Sequence, residues 1–507
     1  MDALLAGLQL VLTLEVGVAL LIGSIGGVII GAIPGVGAAV AIAILLPATF
    51  AFEPIIGLTM LLGIYGSSMY GGSLPAILIN TPGTAVNALT TYDGHPMTKR
   101  GEALKALGLA YGASFFGGML SIAALIALSP VLAKIAPMFG SREIFLAALL
   151  GIILVIVAHR GQSFAAGSLA AFGIFLGTIG LEPVKYTQRF TYGFEFLTSG
   201  VNLIVVVLGL FAISQAFVLL IDQDQDQGAQ RVEGNMFRAM LGIFRHKRVA
   251  TAGSGFGVLM GMIPGVGEFT AQFLAYTYAQ KTSKEPEKFG HGSEEGLVAS
   301  ETANNAVPAA AMIPLLALGI PGEALTAMML SVFYVHNVVP GPDLFQNQLD
   351  FVYALFIAMI LLNVIVVIFV AFSSNLIMKI IQIPTRFLGM VILTLSFVGV
   401  YSLRNSATDC LIASGFGMLG LVLKRQNLPL VPIILGMVLG GIMEVKLRSA
   451  MARVRSPLDF VDRPITALLA FAIVALIVFH FWGVIRELRL REPESSHDHD
   501  IHDSQQG

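Results

Sequence analysis

The chain has 507 residues, of which 56% are apolar and 12% are charged, and its formal net charge at pH 7 is −2. Soluble domains carry about 25% charged residues, so this composition excludes a soluble globular, a disordered or a fibrous protein. A net charge near zero offers no basic surface for nucleic acid. The single cysteine, Cys410, excludes an internal disulfide and a cysteine-ligated metal site.

Apolar runs recur along the whole sequence, and a spanning helix needs about 20 apolar residues. The runs do not alternate apolar and polar residues as barrel strands would. They therefore predict an all-α polytopic membrane protein of roughly 10–14 membrane segments. The first run lacks a basic leader and a small-residue cleavage site, so we interpret it as a retained segment. The candidate segments cover residues 4–33, 38–70, 103–130, 144–158, 163–181, 199–221, 249–280, 303–333, 351–378, 387–402, 407–423, 429–443 and 464–485.

Two sequence patterns occur twice. Residues 23–37 recur as residues 253–267, with ten of fifteen positions identical. Pro75, followed after six residues by Pro82-Gly83, recurs as Pro314 followed by Pro321-Gly322. Because the two patterns keep their order at similar offsets, the sequence predicts two related membrane repeats.

A polar stretch near the middle of the chain separates these repeats. We predict a first membrane repeat at 1–221, a cytoplasmic linker at 222–248 and a second membrane repeat at 249–447. A C-terminal segment at 448–490, which holds a final transmembrane helix, and a disordered tail at 491–507 follow. The first and second repeats are called the first and second halves below.

Loop charge predicts how the halves are oriented, because Lys and Arg prefer cytoplasmic loops. Lys99 and Arg100 follow the second pattern of the first half, whereas Arg245 and Arg248 precede the first pattern of the second half. The equivalent stretches of the other half, residues 338–350 and 1–22, contain no Lys or Arg, so equivalent loops carry opposite charge bias. We expect inverted halves, with a periplasmic amino terminus and a cytoplasmic linker.

Inverted repeats interrupted by Gly and Pro are typical of secondary transporters, whose sites lie at broken helices. Proline interrupts helical hydrogen bonding, and glycine allows a sharp turn. The N–H groups at the start of a half-helix can then bind an anion. We predict such tips at residues 34–37 and 264–267, the second at the end of a re-entrant hairpin. The preceding glycines, spaced by four residues at 23–31 and 253–261, instead predict close helix packing.

Polar residues cluster beside the second pattern of each half. In an apolar chain they are candidate ligands, with hydrogen bonding between helices as the alternative. Asn80, Asn304 and Asn305 are favoured, because amides donate to carboxylates and accept from cations. Glu301 is either functional or a helix cap at the cytoplasmic edge. The cluster comprises Ser67, Ser68, Ser73, Asn80, Thr81, Thr84, Ser300, Thr302, Asn304 and Asn305.

These motifs resemble the large membrane subunit (TctA type) of tripartite tricarboxylate transporters. The similarity covers nearly the whole chain and is most specific at the Pro-Gly tips. It includes Tyr70-Gly-Gly-Ser73, Asn80-Thr-Pro-Gly83, Asp93-Gly-His-Pro-Met97, Asn304-Asn305 with Leu318-Gly-Ile-Pro-Gly322, Gly177-Thr-Ile-Gly180, Arg189-Phe-Thr-Tyr-Gly193, and Pro429–Gly436 with Glu444 and Arg448.

The resemblance implies a permease of the bacterial inner membrane that imports a small organic carboxylate by alternating access. It implies a periplasmic solute-binding protein and a small membrane subunit as partners, no cofactor, and coupling to a sodium ion or a proton. Thr81 departs from the family, where an apolar residue is expected after the asparagine. The predicted substrate-binding residues are Pro34, Gly35, Gly37, Ser73, Asn80, Thr81, Pro82, Gly83, Pro264, Gly265, Gly267, Asn304, Asn305, Pro321 and Gly322.

Other functions are less well supported by the sequence. No P-loop, nucleophile-elbow or zinc-protease motif occurs, so an enzyme is not expected. Re-entrant hairpins also build channel filters, and an ion or solute channel is the alternative to a transporter. Net uptake against a gradient would separate the two, and a membrane scaffold would show no flux.

Overall fold

The structure, a computed structural model, describes residues 2–159, 161–182, 186–222, 234–381, 384–452 and 460–491. Apolar side chains fill its interior and also cover much of its surface. Phe164, Phe372 and Phe471 are between 72% and 90% exposed. Large apolar side chains exposed in such numbers require an apolar surrounding, and they mark a lipid-facing surface.

The first half is a succession of helices with one small β-ribbon between α8 and α9. The ribbon pairs β1 (Gly180–Leu181) with β2 (Gln188–Arg189) in antiparallel register. A π-helical turn, Leu208–Ile213, joins α10 to α11. The helices are α1 (Asp2–Val11), α2 (Leu14–Ala32), α3 (Gly37–Thr49), α4 (Pro54–Ile79), α5 (Ala88–Lys99), α6 (Ala103–Ile135), α7 (Ser141–Ala158), α8 (Ser163–Gly177), α9 (Glu195–Thr198), α10 (Leu203–Val207) and α11 (Ser214–Ile221).

The rest of the chain is also helical. Short 3-10 helices lie at Ala85–Asn87, Ala136–Met138, Leu241–His246 and Pro286–Lys288. The remaining α-helices are α12 (Met236–Met240), α13 (Lys247–Gly261), α14 (Gly267–Thr282), α15 (Glu294–Leu318), α16 (Ala324–Val335), α17 (Pro342–Asn347), α18 (Leu349–Ile381), α19 (Thr385–Arg404), α20 (Ala407–Arg425), α21 (Val431–Met451) and α22 (Pro464–Arg491).

The predicted fold class, an all-α polytopic membrane protein, is confirmed. Among the described residues, nine helices are long and apolar enough to cross a membrane. Four shorter apolar helices accompany them, including α3 and α16, which directly follow Pro-Gly tips. Where a membrane segment is broken into shorter helices, these helices fall below the length of a full membrane span.

Three of the candidate segments each comprise two helices. Residues 4–33 are broken at Thr13, whose backbone is extended. Residues 38–70 are broken before Pro54, because proline favours extended backbone at the preceding Glu53, and α4 then continues to Ile79. Residues 303–333 are broken at Gly319, which has a φ of 70°.

Glycine stripes hold the paired helices of each half together, as the spacing of four predicted. A Cβ at Gly23 would lie 2.2 Å from the Met60 carbonyl oxygen, and one at Gly31 would lie 2.1 Å from that of Ser68. In the second half, a Cβ at Gly257 would lie 2.5 Å from the Ala303 carbonyl oxygen. The backbones of α2 and α4, and of α13 and α15, therefore touch along their length.

The two halves contact each other through several helices. Helix α6 packs on α15, where a Cβ at Gly117 would lie 2.2 Å from the Thr302 carbonyl oxygen. Helix α16 packs on α3 and α4, so helices that start at tips of different halves are neighbours. These contacts position residues of both halves around one interior.

The proposed domain boundaries stay predictions. Residues 223–233 of the linker and 492–507 of the tail lie outside the described residues. The end of the linker, from Gly234, is folded: α12 packs on α6, with Ala239 against Gly108. The predicted final transmembrane helix corresponds to α22.

Candidate functional site

The structure pairs the first tip of each half, residues 34–37 or 264–267, with a second Pro-Gly tip, residues 82–83 or 321–322. The Gly35 N–H donates to the Gly83 carbonyl oxygen at 3.0 Å, and the Gly265 N–H donates to that of Gly322 at 2.7 Å. The same backbone hydrogen bond thus joins equivalent glycines in both halves. Each pair places the start of a broken helix beside the end of another.

The glycines of these tips adopt backbone conformations that other residues rarely take. Gly35 and Gly37 have φ values of 78° and 64°, and Gly265 and Gly267 have 82° and 68°. Left-handed backbone costs residues with a Cβ about 1–2 kcal/mol. This conformation accounts for glycine at all four positions without any appeal to packing.

The helices that precede the second tips end alike. Asn80 caps α4 with a φ of 56°, and Gly319 caps α15 with a φ of 70°. The offset between Asn80 and Gly319 is 239, the same as between Pro75 and Pro314. Gly319, and not Asn304 or Asn305, is therefore the structural counterpart of Asn80. Asn80 is an exposed cap, whereas Asn304 is buried inside α15.

A lysine that the sequence analysis missed lies near the first tip. A Cβ at Gly35 would lie 3.0 Å from the Gln215 amide nitrogen, and Lys424 Nζ donates to Gln215 Oε1 at 2.7 Å. Lys424 is distant in sequence from Gly35 and stands beside Arg425 in the last turn of α20. Basic residues are common at that end of a helix. Nothing in the sequence alone connects it with Gly35.

The N-terminus of α3 at this tip is uncapped. Its N-cap residue, Val36, offers no side-chain acceptor, and the first N–H groups of a helix have no partner within the helix. The next residues, Gly37 and Ala38, also lack acceptor groups. This first-turn backbone can therefore bind an anion.

The equivalent tips of the second half carry carboxylates. Glu268 stands where the first half has Ala38, and Glu323 stands where it has Thr84, at offsets of 230 and 239. Both glutamates are 7% exposed, and each has a carboxylate oxygen without a hydrogen-bond partner. Glu323 Oε2 would lie 4.0 Å from a Cβ at Gly267. Carboxyl groups of the chain itself thus occupy the helix starts of the second half.

Two buried amides of the second half also lack partners. Gln272 lies one turn after Glu268 on α14, and Asn304 lies on α15, against which α14 packs. Neither side chain is exposed, and none of their polar side-chain atoms has a hydrogen-bond partner. Unpartnered buried amides are costly, so these groups are available for a ligand.

The predicted residue Ser73 belongs to a different cluster, centred on Glu301. Glu301 Oε1 accepts from Ser73 Oγ at 2.8 Å and from Thr90 Oγ1 at 2.6 Å, and Oε2 accepts from Ser114 Oγ at 3.0 Å. Asn305 Nδ2 donates to Ser114 Oγ at 2.7 Å. Of the two interpretations offered for Glu301, the helix cap was wrong: Glu301 is fully buried, and Ser293 caps α15.

The remaining polar candidates bond mainly to helix carbonyls. Ser68 donates to Tyr65 O, Ser300 to Gly296 O and Thr302 to Val298 O. Ser67 Oγ lies 3.5 Å from Gly23 O across the α2–α4 contact, and Thr81 donates to Ile79 O. Of these five residues, Ser67 alone bonds between helices, as the alternative predicted, whereas the other four bond carbonyl groups of their own segment.

A charged cluster joins α21 to the β-ribbon at one end of the molecule. Arg189 makes a two-pronged contact with Glu444, at 2.6 and 3.2 Å, and Arg448 bonds both Glu444 and Glu182. The hydrogen bond to Glu444 raises the pKa of the Arg189 guanidinium. Beside α21, a cleft of about 470 Å³ is lined by Gly319 and other, mostly apolar, residues. The fourth tip therefore lies next to open space.

A polar cleft of about 1060 Å³ opens between the start of α15 and the loops around it. Its walls include Arg100, Arg245, Lys284 and Glu294. Glu294 accepts from His246 Nε2 at 3.0 Å and pairs with Lys105 at 2.5 Å. The hydrogen bond from His246, followed by that from Lys105, lowers the pKa of Glu294 to about 2. Basic loops of both halves thus share one face of the molecule.

Comparison with known proteins gives a family match. The sequence matches the Tripartite tricarboxylate transporter TctA family over residues 18–435. It is 35% identical over 470 residues to a protein of Agrobacterium vitis described as an uncharacterized 52.8 kDa protein in the TAR-I ttuC' 3' region, covering 92% of this chain and 93% of that protein. An uncharacterized Agrobacterium vitis protein in the TAR-II ttuC' 3' region is 36% identical over 224 residues, covering 44% of this chain and 93% of that protein. No solved structure matches the chain.

Proposed function

The chain belongs to the Tripartite tricarboxylate transporter TctA family, and on that premise we propose that it is the permease subunit of a gradient-driven carboxylate uptake system. Family membership makes it a subunit of a tricarboxylate transporter, and its apolar helices make it a multi-pass membrane protein. The observation that carries the proposal is the pair of backbone hydrogen bonds that joins equivalent Pro-Gly tips in each half. Broken helices of this kind supply the central site of secondary transporters.

The substrate is a di- or tricarboxylate, and it binds at the tips of the first half. There the N-terminus of α3 is uncapped, and Lys424 lies behind Gln215 next to Gly35. A helix N-terminus and an ammonium group both favour an anion. At the second-half tips, the carboxyl groups of Glu268 and Glu323 already occupy the helix starts, so the same anion is disfavoured there. The two tip pairs therefore have different roles despite their common backbone.

The transporter works with partners in the bacterial inner membrane. A periplasmic binding protein delivers the carboxylate, a small membrane subunit accompanies the permease, and a sodium or proton gradient drives net uptake. The pairing of basic loops from both halves around one polar cleft supports a cytoplasmic face there. Alternating access would expose the first-half tips to each side in turn.

Reconstituted uptake tests this function. The permease is placed in proteoliposomes with its partner proteins, and labelled di- and tricarboxylates are offered under imposed sodium or proton gradients. We expect accumulation against the carboxylate gradient, abolished by an ionophore that collapses the driving ion. Transport of only neutral or cationic solutes, or flux that never exceeds equilibrium, would contradict the proposal.

The contribution of Lys424 is tested in the same assay. Lys424→Gln removes the ammonium group beside the first tip, and we expect the apparent substrate constant to rise about ten-fold, since hydrogen bonds to charged groups contribute about 1.5–3 kcal/mol. Arg425→Gln is the matched control, because Arg425 is exposed and pairs with Asp222. Equal effects of the two substitutions would remove Lys424 from the substrate site.

A further inference from the structure

One buried carboxylate lies between the two halves without a basic partner. Glu301, on second-half helix α15, is fully buried and accepts hydrogen bonds from three first-half hydroxyl groups. None of the ion pairs formed by the described residues includes Glu301. An ionised carboxylate buried without a counter-charge is strongly disfavoured. A proton or a bound cation therefore has to neutralise Glu301.

The spacing of the oxygen atoms around Glu301 favours a proton. Oxygen ligands lie about 2.3–2.6 Å from an ion such as Ca²⁺, so ligands at right angles around it are roughly 3.3–3.7 Å apart. Sodium is of similar size and requires similar spacing. The hydroxyl oxygens of Ser73, Thr90 and Ser114 instead lie 2.6–3.0 Å from the carboxylate oxygens. These are hydrogen-bond distances, which leave no room for a metal ion between the oxygens.

Glu301 occupies a different helix position from the buried glutamates at the second-half tips. Glu268 lies in the first turn of α14, and Glu323 is the N-cap of α16. The partial positive charge of a helix N-terminus stabilises an ionised carboxylate there, but its effect falls off within the first turn. Glu301 is the eighth residue of α15. The N-terminus of its own helix therefore does not stabilise an ionised Glu301.

No basic side chain on the described elements around Glu301 forms an ion pair with it. Tyr70 of α4 and Tyr111 of α6 are buried and interact electrostatically with it. On α5, Asp93 bonds the 290–293 loop and His95 contacts Ile77 O. The other titratable side chains on elements packed against α15 are Tyr65 on α4, Tyr92 and Lys99 on α5, Lys105 and Lys134 on α6, Lys247 and Arg248 on α13, Glu268, Tyr276, Tyr278 and Lys281 on α14, Glu323 and Tyr334 at α16, Asp343 on α17, and Arg245 and His246 before α13.

A hydrogen-bonded chain connects Glu301 with the first-half tips. Ser73 Oγ, which donates to Glu301, accepts from Asn87 Nδ2 at 3.0 Å. Asn87 Oδ1 accepts from Thr84 Oγ1 at 2.5 Å. Thr84 follows Gly83, and its Cγ2 would lie 3.7 Å from a Cβ at Gly37. The Thr84 methyl group thus faces Gly37 while its hydroxyl group donates to Asn87, so an anion bound at Gly37 would contact the side chain that begins the hydrogen-bonded chain to Glu301.

Glu301 is also close to an aqueous face. Glu294, which lines the polar cleft, precedes Glu301 by seven residues on α15. At a rise of about 1.5 Å per residue, the two side chains are separated by roughly 10 Å along the helix axis. A proton released from Glu301 therefore has a short route to the cleft.

Resting on the proposed function, we propose that Glu301 carries the proton that couples carboxylate uptake to a proton gradient. Its carboxylate takes up one proton while the substrate anion occupies the first-half tips, and it returns that proton to the cytoplasm after the substrate has left. No covalent bond of the substrate is made or broken. The Ser73–Asn87–Thr84 chain links protonation of Glu301 to occupancy of the tips.

The test compares two assays on the full chain in proteoliposomes with its partner proteins. One assay measures carboxylate accumulation driven by an acid-outside gradient, and the other measures exchange of labelled for unlabelled carboxylate without a gradient. Glu301→Gln keeps the size of the side chain but cannot titrate. We expect accumulation to fall by about ten-fold or more, a typical coupling factor, while exchange persists and loses its pH dependence.

Glu143→Gln is the matched control. Glu143 is also fully buried, but it lies 3.5 Å from the Arg463 guanidinium, so it has no need of a proton. Its substitution is expected to leave accumulation coupled to the proton gradient. If Glu301→Gln does not fold, Glu301→Asp decides the question: a shifted pH optimum of accumulation supports the proposal, and an unchanged one overturns it.

The remaining outcomes separate this proposal from the proposed function. Proton-driven accumulation by Glu301→Gln, or loss of exchange in a folded Glu301→Gln variant, overturns the role of Glu301. So does coupling that is lost in Glu268→Gln or Glu323→Gln but kept in Glu301→Gln. Wild-type accumulation driven by sodium alone also overturns it and leaves carboxylate transport intact. A wild type that moves no carboxylate in either assay contradicts the proposed function itself.

Discussion

Thr84 and Glu323 show how one residue can distinguish two copies of the same backbone. Both follow the glycine of a second Pro-Gly tip, at the repeat offset of 239. Thr84 donates to Asn87, whereas Glu323 brings a carboxylate to the start of α16. A carboxylate at a helix start takes the place that a substrate anion would occupy. The repeated turn therefore sets the backbone of both tips, and the differing side chain sets which group lies at the helix start.

The tip and stripe glycines are expected to fail in different ways when replaced by valine. Gly35→Val forces a β-branched residue into left-handed backbone and blocks approach to the tip, so uptake should fall about ten-fold or more with membrane insertion retained. Gly23→Val drives a side chain into the Met60 carbonyl group and should mainly lower the yield of folded protein. Uptake and fluorescence-detected size exclusion measure the two effects. Normal uptake by Gly35→Val would make the tip an ordinary kink.

The buried amide of Asn304 is expected to lower the stability of the protein and to support uptake. Its buried amide has no partner, and an unsatisfied buried polar group costs about 1–3 kcal/mol. Asn304→Leu should therefore keep or raise the melting midpoint while lowering uptake and its cation dependence. Asn305→Leu is the control, because it removes the bond to Ser114 and should lower the midpoint. If Asn304→Leu transports normally, its amide does not bind a ligand.

Loops of the two halves lock together beside the polar cleft. Asp93 Oδ1 accepts from the N–H groups of Gly290, Gly292 and Ser293 at 2.8–2.9 Å. Arg100 donates to the carbonyl oxygens of His291 and Gly292. Burial raises the pKa of Asp93, against the opposing effect of these N–H groups. The 290–293 loop is thus held by first-half side chains on both its N–H and its carbonyl groups.

Glu294, at the start of α15, should stabilise the protein at neutral pH and lose this effect at low pH. The pKa of Glu294 is lowered to about 2 from its ordinary 4.5, so its contribution is present above pH 4.5 and is lost as the pH falls towards 2. Glu294→Gln should lower the melting midpoint by roughly 1–2 °C at pH 6, and this difference from wild type should shrink at pH 3.

Thermal unfolding in detergent at both pH values provides the measurement. The neighbouring Glu295→Gln is the control, because the described ion pairs include Glu294 but not Glu295. A difference between wild type and Glu294→Gln that is the same at pH 6 and pH 3 would contradict the assignment.

The orientation of the halves can be tested on the whole molecule, because Cys410 is the single cysteine. In a Cys410→Ser background, cysteines at Asn235, Lys284 and Lys99 should react from the cytoplasm, and one at Asp343 should react from the periplasm. The shared cleft of Arg100, Arg245 and Lys284 supports the first group. Reaction of Lys99 and Asp343 from the same side would remove the inversion.

Sequence patterns predicted the features of this molecule that depend on local chemistry. Repeated Pro-Gly segments predicted the tips, and glycines spaced by four predicted the contacts of α2 with α4. Contacts between distant parts of the chain could not be read in this way. The approach of Lys424 to Gln215 and the hydroxyl groups around Glu301 depend on how long helices cross, and polar residues in apolar helices give no sign of which partner they meet.

The glycine stripes have a mechanical consequence. Where a Cβ would overlap a neighbouring carbonyl group, as at Gly31 and Gly117, two helices cannot slide past each other without separating their backbones. Each such pair moves as one rigid unit, and α6 and α15 form a unit of this kind between the halves. The backbone can then bend mainly at the turns, because Gly35 and Gly265 can change backbone conformation at little cost. These turns would act as the hinges about which the rigid helix pairs rotate during transport.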